Sequence, residues 1–174
     1  MNFGTTVLTL FACLAFGAAL VPGPAFAAES ELLSEHEDWA AYTYENDKEG
    51  KVCYAVSQPE DSEPKNVRRD PIFFLVTNRP ERKVVNEVSV IIGYPFKKNS
   101  DATVDVGSDS FALFTSSDGA WVKDGDDERR LVAAMKRGAK MTVKGSSWRG
   151  TRTSDRFSLS GLTAALEAIN AACR

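Results

Sequence analysis

The sequence predicts one mostly β domain, a β-sandwich or barrel, that follows an export signal and ends in a helix. Three observations predict this fold. Short apolar runs alternate with turn residues, two segments have helical periodicity, and the first 28 residues carry no Asp, Glu, Lys or Arg. The roughly 146 residues after the signal suffice for one domain with a core and are too few for two.

Residues 1–28 are predicted to be a cleaved secretory signal peptide. Residues 7–21 are almost entirely apolar, a Pro-Gly-Pro sequence at 22–24 ends this run, and Ala-Phe-Ala at 25–27 resembles a cleavage site. The apolar run of about 15 residues is shorter than the roughly 20 that a membrane helix needs, which favours cleavage over a retained anchor. No later segment approaches that length, so we expect no membrane span in the mature chain.

The domain itself is predicted to occupy residues 39–174, after an acidic lead-in at 29–38 whose composition predicts flexibility. Apolar runs are separated by clusters of Asn, Asp, Gly and Pro, which favour turn dihedrals. In the last run, Met141 and Val143 alternate with polar residues, the pattern of a half-buried antiparallel strand. The eight predicted strands are 39–44, 51–57, 72–78, 84–94, 102–106, 111–115, 121–123 and 139–144.

Two helices are predicted, near 128–137 and near 160–173. The first ends before Gly138, a residue typical of helix C-termini, and Ser160 is placed to cap the second. In the second helix an apolar stripe also contains Cys173, because Cys173 lies only about 20° from Leu162 around the helix axis. The helix face that packs on the sheet therefore carries a sulfur atom inward.

A disulfide between Cys53 and Cys173 is predicted, since these are the two cysteines after the signal and an exported protein meets an oxidising compartment. The bond would close a loop of about 121 residues, for which loop entropy predicts a stabilisation of about 4–5 kcal/mol. It would therefore contribute a large part of the stability of a domain this small.

No catalytic or metal-binding constellation is recognisable, so we expect a protein that is not an enzyme and has no cofactor or metal. The one histidine, His36, lies in the acidic lead-in, where nothing would position it as a base. The acidic residues at 124–128 lack the spacing of a calcium loop and suit the N-terminus of a helix. A hydrolase built on two acids that meet in space stays open as an alternative.

Charge is distributed unevenly along the chain. Residues 29–128 carry 11 Lys or Arg and 22 Asp or Glu, whereas residues 129–156 carry nine basic residues against Asp155 alone. Either the acidic half pairs with these cations, which we favour, or they form a surface for an anionic partner such as lipopolysaccharide phosphate, acidic glycan or a membrane surface. A sequence pI near 5.3 argues against nucleic acid as the partner. The candidate surface residues are Lys144, Arg149, Arg152 and Arg156.

The three tryptophans, Trp39, Trp121 and Trp148, are predicted to pack in the core or against strands rather than to bind a ligand. The same expectation holds for the phenylalanines outside the signal. Neither group of aromatic residues therefore indicates a binding site.

Several short motifs, in this order and spacing, resemble the invasion-associated locus B family over roughly residues 39–173. They are Glu-Val-Ser-Val at 87–90, Gly-Tyr-Pro-Phe at 93–96, Ala-Trp at 120–121, the segments 131–138 and 149–151, and 158–166 together with Cys173. The resemblance implies an immunoglobulin-like β-sandwich in the periplasm or outer envelope of a Gram-negative bacterium. It also implies a role linked in some members to host-cell entry, and it brings no catalytic residues.

This chain departs from the family pattern in one respect. Many members have additional cysteines near the N-terminal tryptophan, whereas Ala40, Ala41 and Tyr42 follow Trp39 here, so a second bridge is absent. The function expected from the sequence is an exported binding module whose partner is an envelope or host component. The alternative is an adhesion or invasion factor that acts at the cell surface.

Overall fold

The computed structural model describes residues 29–174, so the predicted signal peptide at 1–28 lies outside the described residues. The described chain has two α-helices, α1 (Gly125–Arg137) and α2 (Leu162–Ala172), and a short 3-10 helix at Pro80–Arg82. The strands within residues 29–174 are β1 (Glu31–His36), β2 (Trp39–Asn46), β3 (Gly50–Ser57), β4 (Asp61–Glu63), β5 (Phe73–Arg79), β6 (Val84–Ile91), β7 (Ala102–Val106), β8 (Asp109–Ser116), β9 (Gly119–Val122), β10 (Lys140–Ser146) and β11 (Arg152–Ser158).

These strands form a single antiparallel sheet with the spatial order β1-β2-β3-β5-β6-β9-β8-β7-β10-β11-β4. Each of the eight predicted strands overlaps an observed one, and the predicted mostly β class is confirmed. Strands β1, β4 and β11 were not predicted.

The sheet folds over so that its two ends face each other across the core. Phe74 in β5 and Phe157 in β11 lie on distant strands, yet their ring centroids are 5.8 Å apart. The ring of Trp39 in β2 packs against Phe74 at 6.1 Å, and its Nε1 donates a hydrogen bond to the carbonyl of Ser158 at 3.0 Å. Strands from both ends therefore enclose one apolar layer, which gives the sandwich-like arrangement that was expected.

Strand β1 occupies the segment for which the sequence predicted a flexible lead-in. Its residues pair with β2 through a tight turn, with His36 opposite Trp39 and Leu32 opposite Tyr42. Leu33 packs against the core, and the backbone N–H of Asp38 donates to the carbonyl of Ser160 at 3.3 Å. Pairing with a neighbouring strand therefore orders a segment whose own composition favours disorder.

Strand β11 was missed because only one of its inward positions is apolar. Thr153, Asp155 and Phe157 alternate inward and are buried, whereas Arg152 and Arg156 point outward and are exposed. β4 is a three-residue edge strand that pairs with β11, with Ser62 opposite Asp155. Neither strand has the apolar alternation by which a strand is recognised in a sequence.

Both predicted helices are present, but each begins at a different residue from the prediction. Helix α1 begins earlier because Asp124 caps it, with its Oδ1 accepting from the N–H of Asp126 at 2.7 Å. Helix α2 begins after Gly161 and not at Ser160, so the predicted serine cap is wrong. Gly161 has a φ of 88°, and a Cβ there would lie 1.9 Å from the carbonyl oxygen of His36, so the close approach of β1 requires glycine.

The predicted disulfide joins Cys53 in β3 to Cys173 at the end of α2, with the two Cα atoms 6.0 Å apart. The predicted stripe of α2 is buried, since Leu162, Leu166 and Ile169 are fully inaccessible. The stripe that packs α2 on the sheet therefore also brings its C-terminal sulfur to β3.

The side chain of Glu128 in α1 accepts a hydrogen bond from a backbone N–H of β6 at a position where the pairing of β6 with β9 has ended. Its Oε1 accepts from the backbone N–H of Val88 at 2.8 Å, in a position where no strand continues the ladder. Burial raises the pKa of the Glu128 carboxyl, and the Val88 hydrogen bond opposes this rise only in part. The folded protein consequently binds the Glu128 proton more tightly than the unfolded chain does.

We expect Glu128→Ala to lower the free energy of unfolding by about 1–3 kcal/mol, because it leaves a buried N–H without an acceptor. Glu128→Gln keeps an acceptor and removes the buried charge, so it should be at least as stable as the native protein at pH 7. Because the raised pKa favours the folded state at low pH, the advantage of Gln should shrink as the pH falls from 7 through the raised pKa of Glu128, and it should be lost below about 4.3, the ordinary pKa of a glutamate. Urea unfolding at both pH values checks this, and a Gln variant as unstable as the Ala variant would contradict it.

Candidate functional site

Two of the four predicted basic surface residues are paired with acids. The Nζ of Lys144 lies 2.8 Å from Oδ2 of Asp105, and Arg156 lies 3.2 Å from Asp61 and 3.9 Å from Glu60. The hydrogen bond from Lys144, assisted by Ser110, lowers the pKa of the Asp105 carboxyl. For this part of the stretch the acidic half of the chain neutralises the basic half, as favoured from the sequence.

Arg149 and Arg152 have a different environment. Both are exposed, and neither forms an ion pair with any residue in 29–174. The guanidinium of Arg149 lies over the indole ring of Trp148 at 4.8 Å, and 60% of the Trp148 surface is exposed. Trp148 was predicted to pack in the core or against strands, and that prediction is wrong, because the residue lies exposed in the turn between β10 and β11.

A rigid backbone holds Trp148 in its exposed position. The backbone N–H of Trp148 donates to the carbonyl of Pro95 at 2.9 Å, so the turn is joined to the segment that follows β6. Within the turn, the N–H of Ser147 donates to the carbonyl of Thr151 at 2.8 Å, and its Oγ accepts from the N–H of Thr151 at 3.2 Å. An exposed indole on an ordered turn loses little conformational freedom when it binds a partner.

Trp148 and Arg149 form one wall of an open groove of about 640 Å³, which we call the Trp148 groove. The second wall is the segment 66–70, where Arg68 is exposed and forms no ion pair within the described residues. The segment 93–95 joins the two walls, since the N–H of Asp70 donates to the carbonyl of Gly93 at 3.0 Å. Segments far apart in sequence therefore place two free arginines beside an exposed indole.

A buried ion pair supports the groove from below. Nη1 of Arg69 lies 2.9 Å from Oδ2 of Asp155, a second contact joins the other guanidinium and carboxylate atoms, and the side chains are 7% and 0% exposed. The Arg69 guanidinium also lies 5.7 Å from the ring centroid of Tyr94, whose hydroxyl is 2.6 Å from Oγ1 of Thr153. Burial raises the pKa of Tyr94, although Thr153 and Arg69 lower it. Because Arg69 and Asp155 neutralise each other, the net positive charge of the groove comes from Arg68 and Arg149, which outnumber the one exposed acid of its lining, Asp70.

The histidine and the acidic residues near α1 make local contacts. His36 in β1 lies 2.9 Å from the hydroxyl of Ser34. At the start of α1, Asp124 caps the helix and Asp126 and Asp127 pair with Arg129 and Arg130, as expected for a helix N-terminus. Over residues 29–174 there is no group of three or more His, Cys, Asp or Glu that could hold a metal ion. Within the same residues, neither helix combines the length and apolar character needed to cross a membrane.

Comparisons with known proteins agree with the resemblance seen in the sequence. A family model described as "Invasion associated locus B (IalB) protein" matches residues 39–170. The crystal structure of invasion associated protein B from Bartonella henselae has a similar fold, with a TM-score of 0.55 and 15% identity, covering 83% of this chain and 98% of that chain. A search of curated proteins found no match. At this identity the structural likeness concerns the fold.

Proposed function

This chain belongs to the invasion-associated locus B family, and from that premise we propose that it is an exported, non-enzymatic binding module of the bacterial envelope. Two features support export. Residues 1–28 have the sequence pattern of a signal peptide, and a structural disulfide is typical of oxidising compartments. The proposed location is the periplasm or outer envelope.

The Trp148 groove is the proposed binding site, and its partner is an anionic envelope component. The observation that carries this proposal is Arg149, an exposed cation over an exposed indole with no acid paired to it in the described chain. Lys144 and Arg156 show that this fold neutralises arginines and lysines where acids are within reach. An anion that contacts Arg149 would gain charge complementarity while the indole supplies apolar contact.

Replacing Arg68 and Arg149, the two exposed arginines of the groove, by glutamate should reduce retention of the purified protein on immobilised envelope extract by at least about tenfold, or about 1.4 kcal/mol. Native retention should weaken between about 0.05 and about 0.5 M salt, because exposed charges are screened at high ionic strength. The matched control replaces Lys123 and Lys136, two exposed lysines outside the groove, by glutamate for the same change in net charge. Equal losses in the two variants would show a general charge effect and would remove the groove from consideration.

The non-enzymatic part of the proposal has its own test. A screen of the purified protein against glycan substrates should give no turnover. Turnover that disappears with one pair of acid substitutions would instead establish the hydrolase alternative.

An adhesion or invasion factor acting outside the cell is the second candidate, and the family description favours it. The two functions differ in location. Protease added to intact cells should leave a periplasmic protein uncut and should digest a surface-exposed one, with lysed cells as the control for cleavability.

A further inference from the structure

One row of side chains crosses the outer face of the sheet. Strand register places its members directly opposite one another from β1 to β8, and residues opposite one another share a face. Their sequence neighbours Ala41, Ala55, Val76 and Ala120 are buried on the other face, so the row points away from the core. The row, called here the outer row, consists of Glu35, Ala40, Val56, Leu75, Ser89, Trp121 and Phe114.

The outer row is apolar at five of its seven positions, all except Glu35 and Ser89, and it is partly accessible. Phe114 is 44% exposed and its ring stacks on Trp121 with the centroids 5.7 Å apart. A Cβ at Gly119 would lie 2.2 Å from the Trp121 ring, so glycine at this position allows the indole to lie flat on the sheet. Beside the row, Leu32 in β1 is 47% exposed and lies opposite Tyr42. Solvated faces of antiparallel sheets are usually polar, and an exposed apolar face of this kind is typical of an interaction surface.

One end of the outer row is acidic. Glu35, Glu37 and Asp38 border a cleft of about 560 Å³, and none of them forms an ion pair with a residue in 29–174. The apolar side of the same cleft includes Val56 and Phe73. Charge complementarity therefore selects an occupant that is apolar along its length and carries Lys or Arg at one end.

The dimensions of the row suit a polypeptide. Seven strands at a spacing of about 4.8 Å span about 29 Å along the curved sheet, a contour length equal to that of a helix of about 20 residues or of an extended segment of about nine. We propose that the outer row is a docking site for a basic, apolar segment of another polypeptide. This site is separate from the Trp148 groove and opposite to it in charge preference.

The test measures binding of three peptides of about 20 residues to the native chain by titration calorimetry. One peptide has a leucine stripe with lysines at its end, the second has glutamates in place of the lysines, and the third has serines in place of the leucines. The first should bind at least about tenfold more tightly than either of the others. Equal binding of the serine peptide, or of the glutamate peptide, would overturn the proposal.

Two variants locate the binding. The acidic end is removed by the triple substitution Glu35→Gln, Glu37→Gln and Asp38→Asn. Apolar surface is removed by the double substitution Leu32→Ser and Phe114→Ser, at exposed positions that the fold does not need. Each variant should bind the peptide with the leucine stripe and terminal lysines at least about tenfold more weakly than the native chain does. The control for the acidic variant is the triple substitution Glu45→Gln, Asp109→Asn and Glu167→Gln. The control for the apolar variant is the double substitution Val67→Ser and Val85→Ser. All five positions are exposed and lie elsewhere on the chain.

Control variants that weaken binding as much as the site variants would overturn the proposal. So would a native chain that binds none of the peptides. If that chain also forms a dimer which Leu32→Ser with Phe114→Ser dissolves, the occupant would be a second copy of the chain instead.

Discussion

Replacing Asp155 by alanine is expected to lower the free energy of unfolding by about 3–5 kcal/mol, because it leaves the Arg69 guanidinium buried without its counter-charge. Asp155 is fully inaccessible and Arg69 nearly so, and the pair joins β11 to the segment that forms one wall of the Trp148 groove. Loss of the pair should therefore also loosen that wall. Urea denaturation gives the free energy, and hydrogen exchange of the amides in 66–70 reports the wall.

The control for this prediction removes both charges. Arg69→Met with Asp155→Leu leaves no buried ion, so the double variant should be much more stable than Asp155→Ala and close to the native protein. A double variant no more stable than the single one would show that packing, and not an unpaired charge, causes the loss. An Asp155→Ala protein within about 1 kcal/mol of native would contradict the prediction outright.

Replacing Cys53 and Cys173 together by alanine should cost about 2–5 kcal/mol of stability, because the unfolded chain regains the freedom that the cross-link removes. The bridge spans 120 residues of sequence, nearly the whole domain, so the entropic effect is close to the upper end of that range. For a domain of this size the midpoint of thermal unfolding should fall by roughly 10 °C.

Reduction supplies an independent comparison for the disulfide. The native protein in reducing agent should approach the midpoint of the double-alanine variant, and that variant should not respond to reducing agent. A double-alanine protein that unfolds at the native temperature would show that packing of α2 on β2 and β3 holds the helix without the sulfur bridge.

The elements that were predicted correctly depend on local patterns. Alternation predicted β10, since Met141 and Val143 are buried while Lys140 and Lys144 are exposed. The stripe of α2 predicted its buried face and the inward position of Cys173, because helical periodicity places Cys173 beside Leu162. The presence of two cysteines after the signal predicted the bridge to Cys53. The signal peptide stays a prediction, since it lies outside the described residues.

The elements that were missed depend on distant partners. Strand β1 is ordered by its contacts with β2 and with the turn before α2. Strand β11 buries Asp155, which its sequence suggests is a surface residue, because Arg69 from a distant segment pairs with it. The exposed position of Trp148 likewise follows from the hydrogen bond between its backbone and Pro95, more than 50 residues earlier in the chain. No local pattern contains such information.

The sequence by itself determined that the chain is mostly β, that α2 carries a cysteine inward and that basic charge concentrates in residues 129–156. These properties follow from periodicity and composition, which act over a few residues. Only the tertiary structure decided which of those charges remain available, because Lys144 and Arg156 meet Asp105 and Asp61 through strand order whereas Arg149 and Arg152 meet no acid in the described chain. Ion pairing depends on distances of a few ångströms between residues far apart in sequence, and the folded sheet sets those distances.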